Sequence, residues 1–414
     1  MKTGALAILL ALSVSACSTA APTAPPNMVA EVQANPDLRI DPSQLWIDWA
    51  PDGERLVYVG SSRRLMLLDL ANPDHPSQVS AKGGYAPRFR PDGEAIAFTG
   101  VRTQDGRTVN TLYLQRLDGS APIDLLPGNL AIQSVSTAKQ IHRWLDQSTL
   151  SYEEHMGTGV QQLFLLPISE GRLITDRELL ATIFRWSPDG RRVAGHWTCC
   201  PSRFWVWDRA ARKFVLPVGP QPGPNRWFEA WSDDGQQALF TEWQGDRPYQ
   251  SQVRATLFRL NVATSQREIL AENGILAAWS GNLVAYVKVD DRMTLVVADA
   301  RDGRTIWMEG LGRLPDRFDG LHWDYRPVFA GPYLFFRAGD GKWRVSTAES
   351  KQVRTVYPEG DVAVVWSPDG RYGAILDRTS RLRVIRNPLL TRWVSTKRSP
   401  VLWTPGRAAT NCRC

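Results

Sequence analysis

Short apolar runs, rich in Val, Leu, Ile and aromatic residues, recur along most of this 414-residue chain, each broken by Gly, Asp or Pro. Runs of about five to seven residues with such breaks predict antiparallel strands rather than helices. One break recurs as a phrase: "DWAPDGERLVYVG", "RFRPDGEAIAFTG", "FRWSPDGRRVAGHW" and "VVWSPDGRYGAILD", with a fifth copy, "EAWSDDGQQALFTEW", in which Asp replaces Pro. The turn has a physical reading. Proline presets the first central position, aspartate tolerates the second, and glycine takes the left-handed conformation that closes the hairpin. The aromatic just before it is expected to be buried between neighbouring sheets.

The motif residues are Trp49, Asp52 and Gly53; Phe89, Asp92 and Gly93; Trp186, Asp189 and Gly190; Trp231, Asp234 and Gly235; and Trp366, Asp369 and Gly370. Neighbouring copies lie about 40 to 45 residues apart, a repeat length that signals a propeller or array. Two longer gaps leave room for eroded copies. "IHRWLDQSTLSYEEH" around Trp144 fills the first; "AAWSGNLVAYVKV" at Trp279 and "PVFAGPYLFFRAG" around Phe329 fill the second. Within one unit, "ATIFRWSP", "RRVAGHW", "RFWVWD" and "KFVLPVG" parse as four successive strands. The expectation is an all-β chain: a single β-propeller of four-stranded blades, eight in number, with seven as the alternative. Trp403, in "VLWTPGR", either starts a closing strand or packs the tail down.

"WSPDG" followed by an alternating strand resembles the repeat of the TolB-type, WD40-like propellers, also found in the propeller domains of prolyl-oligopeptidase-like peptidases. The resemblance covers about residues 46 to 395 and implies fold more than function, because propellers host many unrelated roles.

The chain opens with "MKTGALAILLALSVSAC", one basic residue and an apolar run ending in small residues before Cys17. This reads as a signal peptide over residues 1–16, with Cys17 the lipidated (palmitate-bearing) first residue of the mature protein. The Ala/Pro-rich stretch that follows has no periodicity, so residues 17–40 read as a disordered tether, 41–398 as the propeller and 399–414 as a cysteine-containing tail. An exported protein can form disulfides. The candidates are Cys199, Cys200, Cys412 and Cys414, whose pairing the sequence leaves open; their spacing is poor for zinc.

Net charge is +7, but residues 371–414 hold ten basic residues against Asp377 alone. The basicity is therefore local to the last blade and tail. Arg381, Arg383, Arg386, Arg392, Lys397 and Arg398 are the candidate interaction residues, with Arg381 and Arg383 on one face of a strand. Three readings compete for them: docking of an acidic partner, anionic lipid headgroups, or solvated blade edges. Nucleic acid is not expected. Aromatic- and proline-rich stretches such as "HWTCCPSRFWVWD", "EWQGDRPYQSQ" and "LPVGPQPGPNRW" are further candidate contact loops.

No nucleophile elbow, HExxH helix or phosphate-cradling loop occurs. The five histidines, His75, His142, His155, His196 and His322, are scattered among units. The acidic pairs Glu153–Glu154 and Asp290–Asp291 read either as cation ligands or as solvated strand ends. The expectation is no catalytic residue, metal or cofactor, and a lipid-anchored, periplasm-facing docking scaffold in a cell-envelope complex. Ser18, after the lipidated cysteine, favours the outer membrane. The alternative is a propeller that binds a ligand or polysaccharide in its central channel, with hydrolysis as one version. Convergence of His, Asp and Glu side chains at the channel would favour that alternative.

Overall fold

The computed structural model describes residues 27–35, 47–80, 82–126, 139–155, 160–169, 174, 179–197, 203–216, 224–244, 254–313, 325–357, 363–377 and 380–390. They form eight antiparallel four-stranded sheets. Blades 1 to 7 are continuous in sequence, over residues 47–78, 84–124, 139–181, 183–216, 225–272, 274–312 and 328–357, and each keeps sequential strand order. Blade 8 combines 363–386 with Met28–Gln33, which pairs antiparallel to Arg381–Arg386 as its outermost strand. The count of eight holds, and all three eroded units are blades.

The first strands of neighbouring blades approach one another, as Ile47–Trp49 does Gly84–Phe89 and Asn225–Trp231 does Gly274–Ser280. They are thus the innermost strands, bordering a central axis. The core lies between blades. Trp49, Leu56 and Tyr58 of blade 1 pack on Leu376, Leu382 and Val384 of blade 8, and Trp366, Ile375 and Ile385 pack on Phe335 and Trp343 of blade 7. Interdigitated apolar faces of this kind are the main favourable term in folding.

The repeated phrase makes the same turn five times. Gly53, Gly93, Gly190, Gly235 and Gly370 all have φ between +63° and +72°, the left-handed region. Each turn aspartate accepts a bond from the amide two residues on, as from Glu54 to Asp52 at 2.8 Å and from Gln236 to Asp234 at 2.9 Å. In three copies the serine after the tryptophan adds a clip. Ser187, Ser232 and Ser367 each donate to the turn aspartate and accept the amide that opens the next strand. In the eroded third unit Asp146 still accepts the Ser148 amide at 2.9 Å, so this part of the turn outlives the glycine.

The motif aromatics are buried, as expected, and they also join blades. The indole N–H of Trp49 donates to Val365 O at 3.0 Å, that of Trp144 to Arg88 O at 3.3 Å and that of Trp231 to Arg185 O at 2.9 Å. In each case the acceptor is the residue immediately before the motif aromatic of the preceding blade.

One expectation needs correction. The tether over 17–40 does not run unbroken to the propeller, because Met28–Gln33 is a strand of blade 8. Its edge position explains the reading: one long-range neighbour holds it, and a local pattern does not record such a partner. Ring closure therefore comes from the N-terminal side; Trp403, offered as a closing strand, lies outside the described residues.

Candidate functional site

Charges gather at the axis on the residue before the motif aromatic. That position is Asp48, Arg88, Arg143 and Arg185 in blades 1 to 4, but Ala230, Ala278 and Val365 in blades 5, 6 and 8. At this one position the side chain is charged in blades 1 to 4 and apolar in blades 5, 6 and 8. Asp48 accepts the Phe89 amide at 2.7 Å. Burial pushes its carboxyl up to about 6, against the opposing pull of Arg88. Arg88 donates through Nε to His142 O at 3.1 Å. The His142 ring meets Glu153 at 2.6 Å, Nε2 to Oε2, and sits edge-on to Phe184.

Arg185 meets the charges of its neighbouring blades. Burial lowers its guanidinium to about 10, and repulsion by Arg326 adds to this while Glu153 and Glu229 oppose it. Those neighbours come from the two adjacent blades, 3 and 5, and from the segment before blade 7. Glu229 is fully enclosed and its demands are met: Arg326 at 2.5 Å, Thr241 Oγ1 at 2.8 Å and the Leu276 amide at 3.2 Å. A buried carboxylate with this set of partners is what low dielectric requires.

The acidic pair Glu153–Glu154 is neither a solvated strand end nor a cation site. Both side chains are buried; Glu154 is paired with the buried Lys139, and Glu153 with His142. Antiparallel register sets Lys139 opposite Glu154. Asp290 is exposed in a turn with Lys288 and Asn273 as partners, and Asp291 is exposed beside it. His196 is buried in blade 4, bonded to Arg226 O at 3.1 Å and packed on Trp227; burial drives its ring down to about 4. His155 meets Gln161 at 3.4 Å, His75 is exposed, and His322 lies outside the described residues. Among the described residues no group of three His, Cys, Asp or Glu side chains is placed to hold a metal ion.

The candidate interaction residues of blade 8 are drawn into the ring closure. Arg383 binds Glu31 at 2.8 Å and Asp377 at 3.4 Å, and its side chain is only 13% exposed. Arg381 lies 3.7 Å from Glu31 on the same face, with its side chain 50% exposed. Arg386 sits over the Tyr372 ring at 5.9 Å. Arg392, Lys397 and Arg398 lie outside the described residues, as do Cys17, Cys199, Cys200, Cys412, Cys414 and most of the three candidate contact loops. The axial charges went unread in the sequence, although an Asp or Arg before a buried aromatic, four times in succession, was their visible signal. Among the described residues no helix is long and apolar enough to cross a membrane.

No protein-family model matches the chain. No curated protein matches it either. Among solved structures it is similar to the Dos1 propeller, at 10% identity over 87% of this chain and 95% of that one, with a TM-score of 0.54. It is also similar to the tricorn protease, at 11% identity over 82% of this chain and 36% of that one, with a TM-score of 0.48. A chain of the mitotic checkpoint complex aligns at 13% identity over 93% of this chain and 99% of that one, with a TM-score of 0.45. At these identities the likeness is one of fold, and the fold is an eight-bladed β-propeller distantly related in shape to other propellers.

Proposed function

We propose that this chain is an exported lipoprotein, acylated at Cys17, whose propeller of TolB-like repeats acts as a protein-docking scaffold in a cell-envelope complex. The observation that carries the reading is the state of the axial charges. Glu229 with Arg326, Glu153 with His142 and Glu154 with Lys139 are committed to one another across strands and blades. These buried charges are satisfied within blade 3 and between blade 5 and the segment before blade 7, which leaves the outer surface for recognition. One element suits that use: the second hairpin of blade 2, Ala95–Gln104 with Arg107–Arg116, whose tip extends past the inner strand that pairs only as far as Gly100. It is a two-stranded ribbon turned at Asp105–Gly106, both at positive φ.

The test is co-purification from detergent-solubilised envelope, using tagged wild type and a variant with the ribbon shortened between Val101 and Asn110. A specific envelope protein retained by wild type and lost by the still-folded variant is the expected result. Equal capture by both, or none after cross-linking at low salt, would sink the docking surface. Palmitate labelling of wild type against Cys17→Ser checks the anchor separately.

A second reading, ligand or polysaccharide binding at the axis, has one observation in its favour. Arg185 lies within electrostatic reach of Arg326, Glu153 and Glu229, and burial raises the Asp48 carboxyl to about 6. Loss of ligand-induced thermal stabilisation in Asp48→Asn would be its signature.

A further inference from the structure

We infer that Asp105–Gly106, at the tip of the blade 2 ribbon, modifies itself: the Gly106 nitrogen closes on the Asp105 side chain and turns the link between them into an isoaspartyl bond. The turns of the other Asp-Gly pairs protect them from this reaction. The inference is independent of the docking role proposed for the ribbon; only an effect of conversion on a partner would rest on that role.

The chemistry needs a free nucleophile, a free carboxyl and water. The glycine nitrogen attacks the aspartate Cγ, and the carboxyl hydroxyl leaves as water with the nitrogen's proton, giving a five-membered succinimide. Water then opens one of the two ring carbonyls. Opening at the main-chain carbonyl leaves the chain running through Cβ and Cγ, with the α-carboxylate as a side group. The net change is an isomerisation, so no oxidant or cofactor enters. Glycine favours it because no side chain obstructs the ring.

Nine Asp-Gly pairs lie among the described residues. In eight, the carboxylate accepts the amide of the residue after the glycine, at 2.8–3.1 Å. In seven of these the glycine N–H also donates to a carbonyl three or four residues before it, at 2.8–2.9 Å. Both reacting groups are then held. Asp118–Gly119 keeps only the first bond, from the Ser120 amide at 2.9 Å, which holds its carboxyl below the usual range. Among the described residues, Asp105–Gly106 alone has neither bond. The turn type is the cause. With φ of +49° and +71°, the two residues form a tight hairpin turn whose ladder pairs Gln104 with Arg107 and passes over the tip. Asp105, Gly106 and Arg107 are exposed, and a Cβ on Gly106 would meet no atom within 4 Å, so water and the ring have room. A Cβ on Gly190 or Gly370 would instead lie 2.7 Å from Leu145 O or 2.3 Å from Ala330 O. The one Asn-Gly pair among the described residues, Asn273–Gly274, is held as well: its amide donates to Asp290, and its glycine is buried at the start of an inner strand.

The test is to keep the folded full chain for weeks at neutral pH in heavy-oxygen water, then digest it with trypsin in ordinary water. Cleavage after Arg102 and Arg107 isolates residues 103–107. Each ring opening installs one heavy oxygen, and electron-based fragmentation in the mass spectrometer separates isoaspartyl from aspartyl peptides. Both signals are expected to accumulate at Asp105 at least about tenfold faster than at Asp118, the factor that one hydrogen bond to a charged acceptor supplies. The seven pairs held by two bonds should be slower still. In urea, where the turns are gone, all nine are expected to convert at similar rates. Conversion at Asp118 or any other pair as fast as at Asp105 in the folded chain overturns protection by the turns. A folded chain that leaves Asp105 unconverted overturns the site, whatever urea shows.

Discussion

Glu54 of blade 1 and Arg371 of blade 8 meet across the seam of the ring, 2.7 Å from Oε1 to Nη1, although 317 residues separate them in the chain. The seam is also closed by the outer strand Met28–Gln33 and by the apolar packing of Trp49 on Tyr372. These contributions differ in kind and are separable by mutation.

The Glu54–Arg371 pair is about half-exposed, so water and salt screen it. Glu54→Gln is expected to cost less than about 1 kcal/mol, and that cost should vanish in high salt. Ala30 is buried in the seam core, where an aspartate would be desolvated. Ala30→Asp is expected to cost about 2 kcal/mol or more. Denaturant midpoints of the two variants check the order; equal losses would show that the seam is electrostatic rather than packed.

The indole links between blades predict a contrast among tryptophans. Trp231 donates to Arg185 O, whereas the buried Nε1 of Trp366 has no hydrogen-bond partner among the described residues. Replacement by phenylalanine removes similar volume at both sites but a hydrogen bond only at Trp231. Trp231→Phe should therefore be the more destabilising by about 1 kcal/mol, measured by equilibrium unfolding.

Turn glycines should rank by their surroundings as well as by φ. Gly106 and Gly370 have φ of +71° and +69°, so alanine is strained at both. A Cβ at Gly106 meets open space, while one at Gly370 would lie 2.3 Å from Ala330 O on the neighbouring blade. Gly106→Ala is expected to cost about 1 kcal/mol and Gly370→Ala clearly more. Thermal midpoints that fail to separate the two would refute the blade-to-blade contact.

The buried His196 sets an acid limit. Its folded-state value, near 4, lies below the unfolded value of 6.5, so the folded state resists protonation. The stability it preserves is fully present above about pH 6.5 and is lost as pH falls towards 4, by roughly 3 kcal/mol in all. Urea unfolding between pH 7 and 4 should show a flatter profile for His196→Phe than for wild type. Asp48 acts with the opposite sign. Its raised value favours the protonated folded form, so stability rises as pH falls from about 6 towards 4, and Asp48→Asn removes that rise.

Blade number and strand positions were readable because each unit repeats a local code: apolar run, aromatic, turn, apolar run. Even blade 6, which lacks the Pro-Asp-Gly, keeps Trp279 and a glycine turn at Gly281 with φ of +55°. The strand Met28–Gln33 was not readable, because its partner is Arg381–Arg386 and its own six residues are half-exposed. The same distance hid the role of Arg383. The arginine was visible as a charge, but Glu31 lies 352 residues away, so the ion pair belongs to topology. Glu153 and Glu154 were misread for a related reason. Adjacent acids suggest solvent, yet the strand before them sets Lys139 opposite Glu154 and, at a bulge, brings His142 to Glu153.

Closure by the N-terminal strand also has a kinetic consequence. The outermost strand of blade 8 is made first, but the edge it completes is made last. Until Arg381–Arg386 emerges, Met28–Gln33 has no sheet to join, and the blades already formed wait with an open side. Contacts between residues so far apart fold slowly and leave apolar edges exposed meanwhile. A truncation that removes only the final strand should therefore strand the first one as well, converting a local deletion into a fault at both ends of the chain.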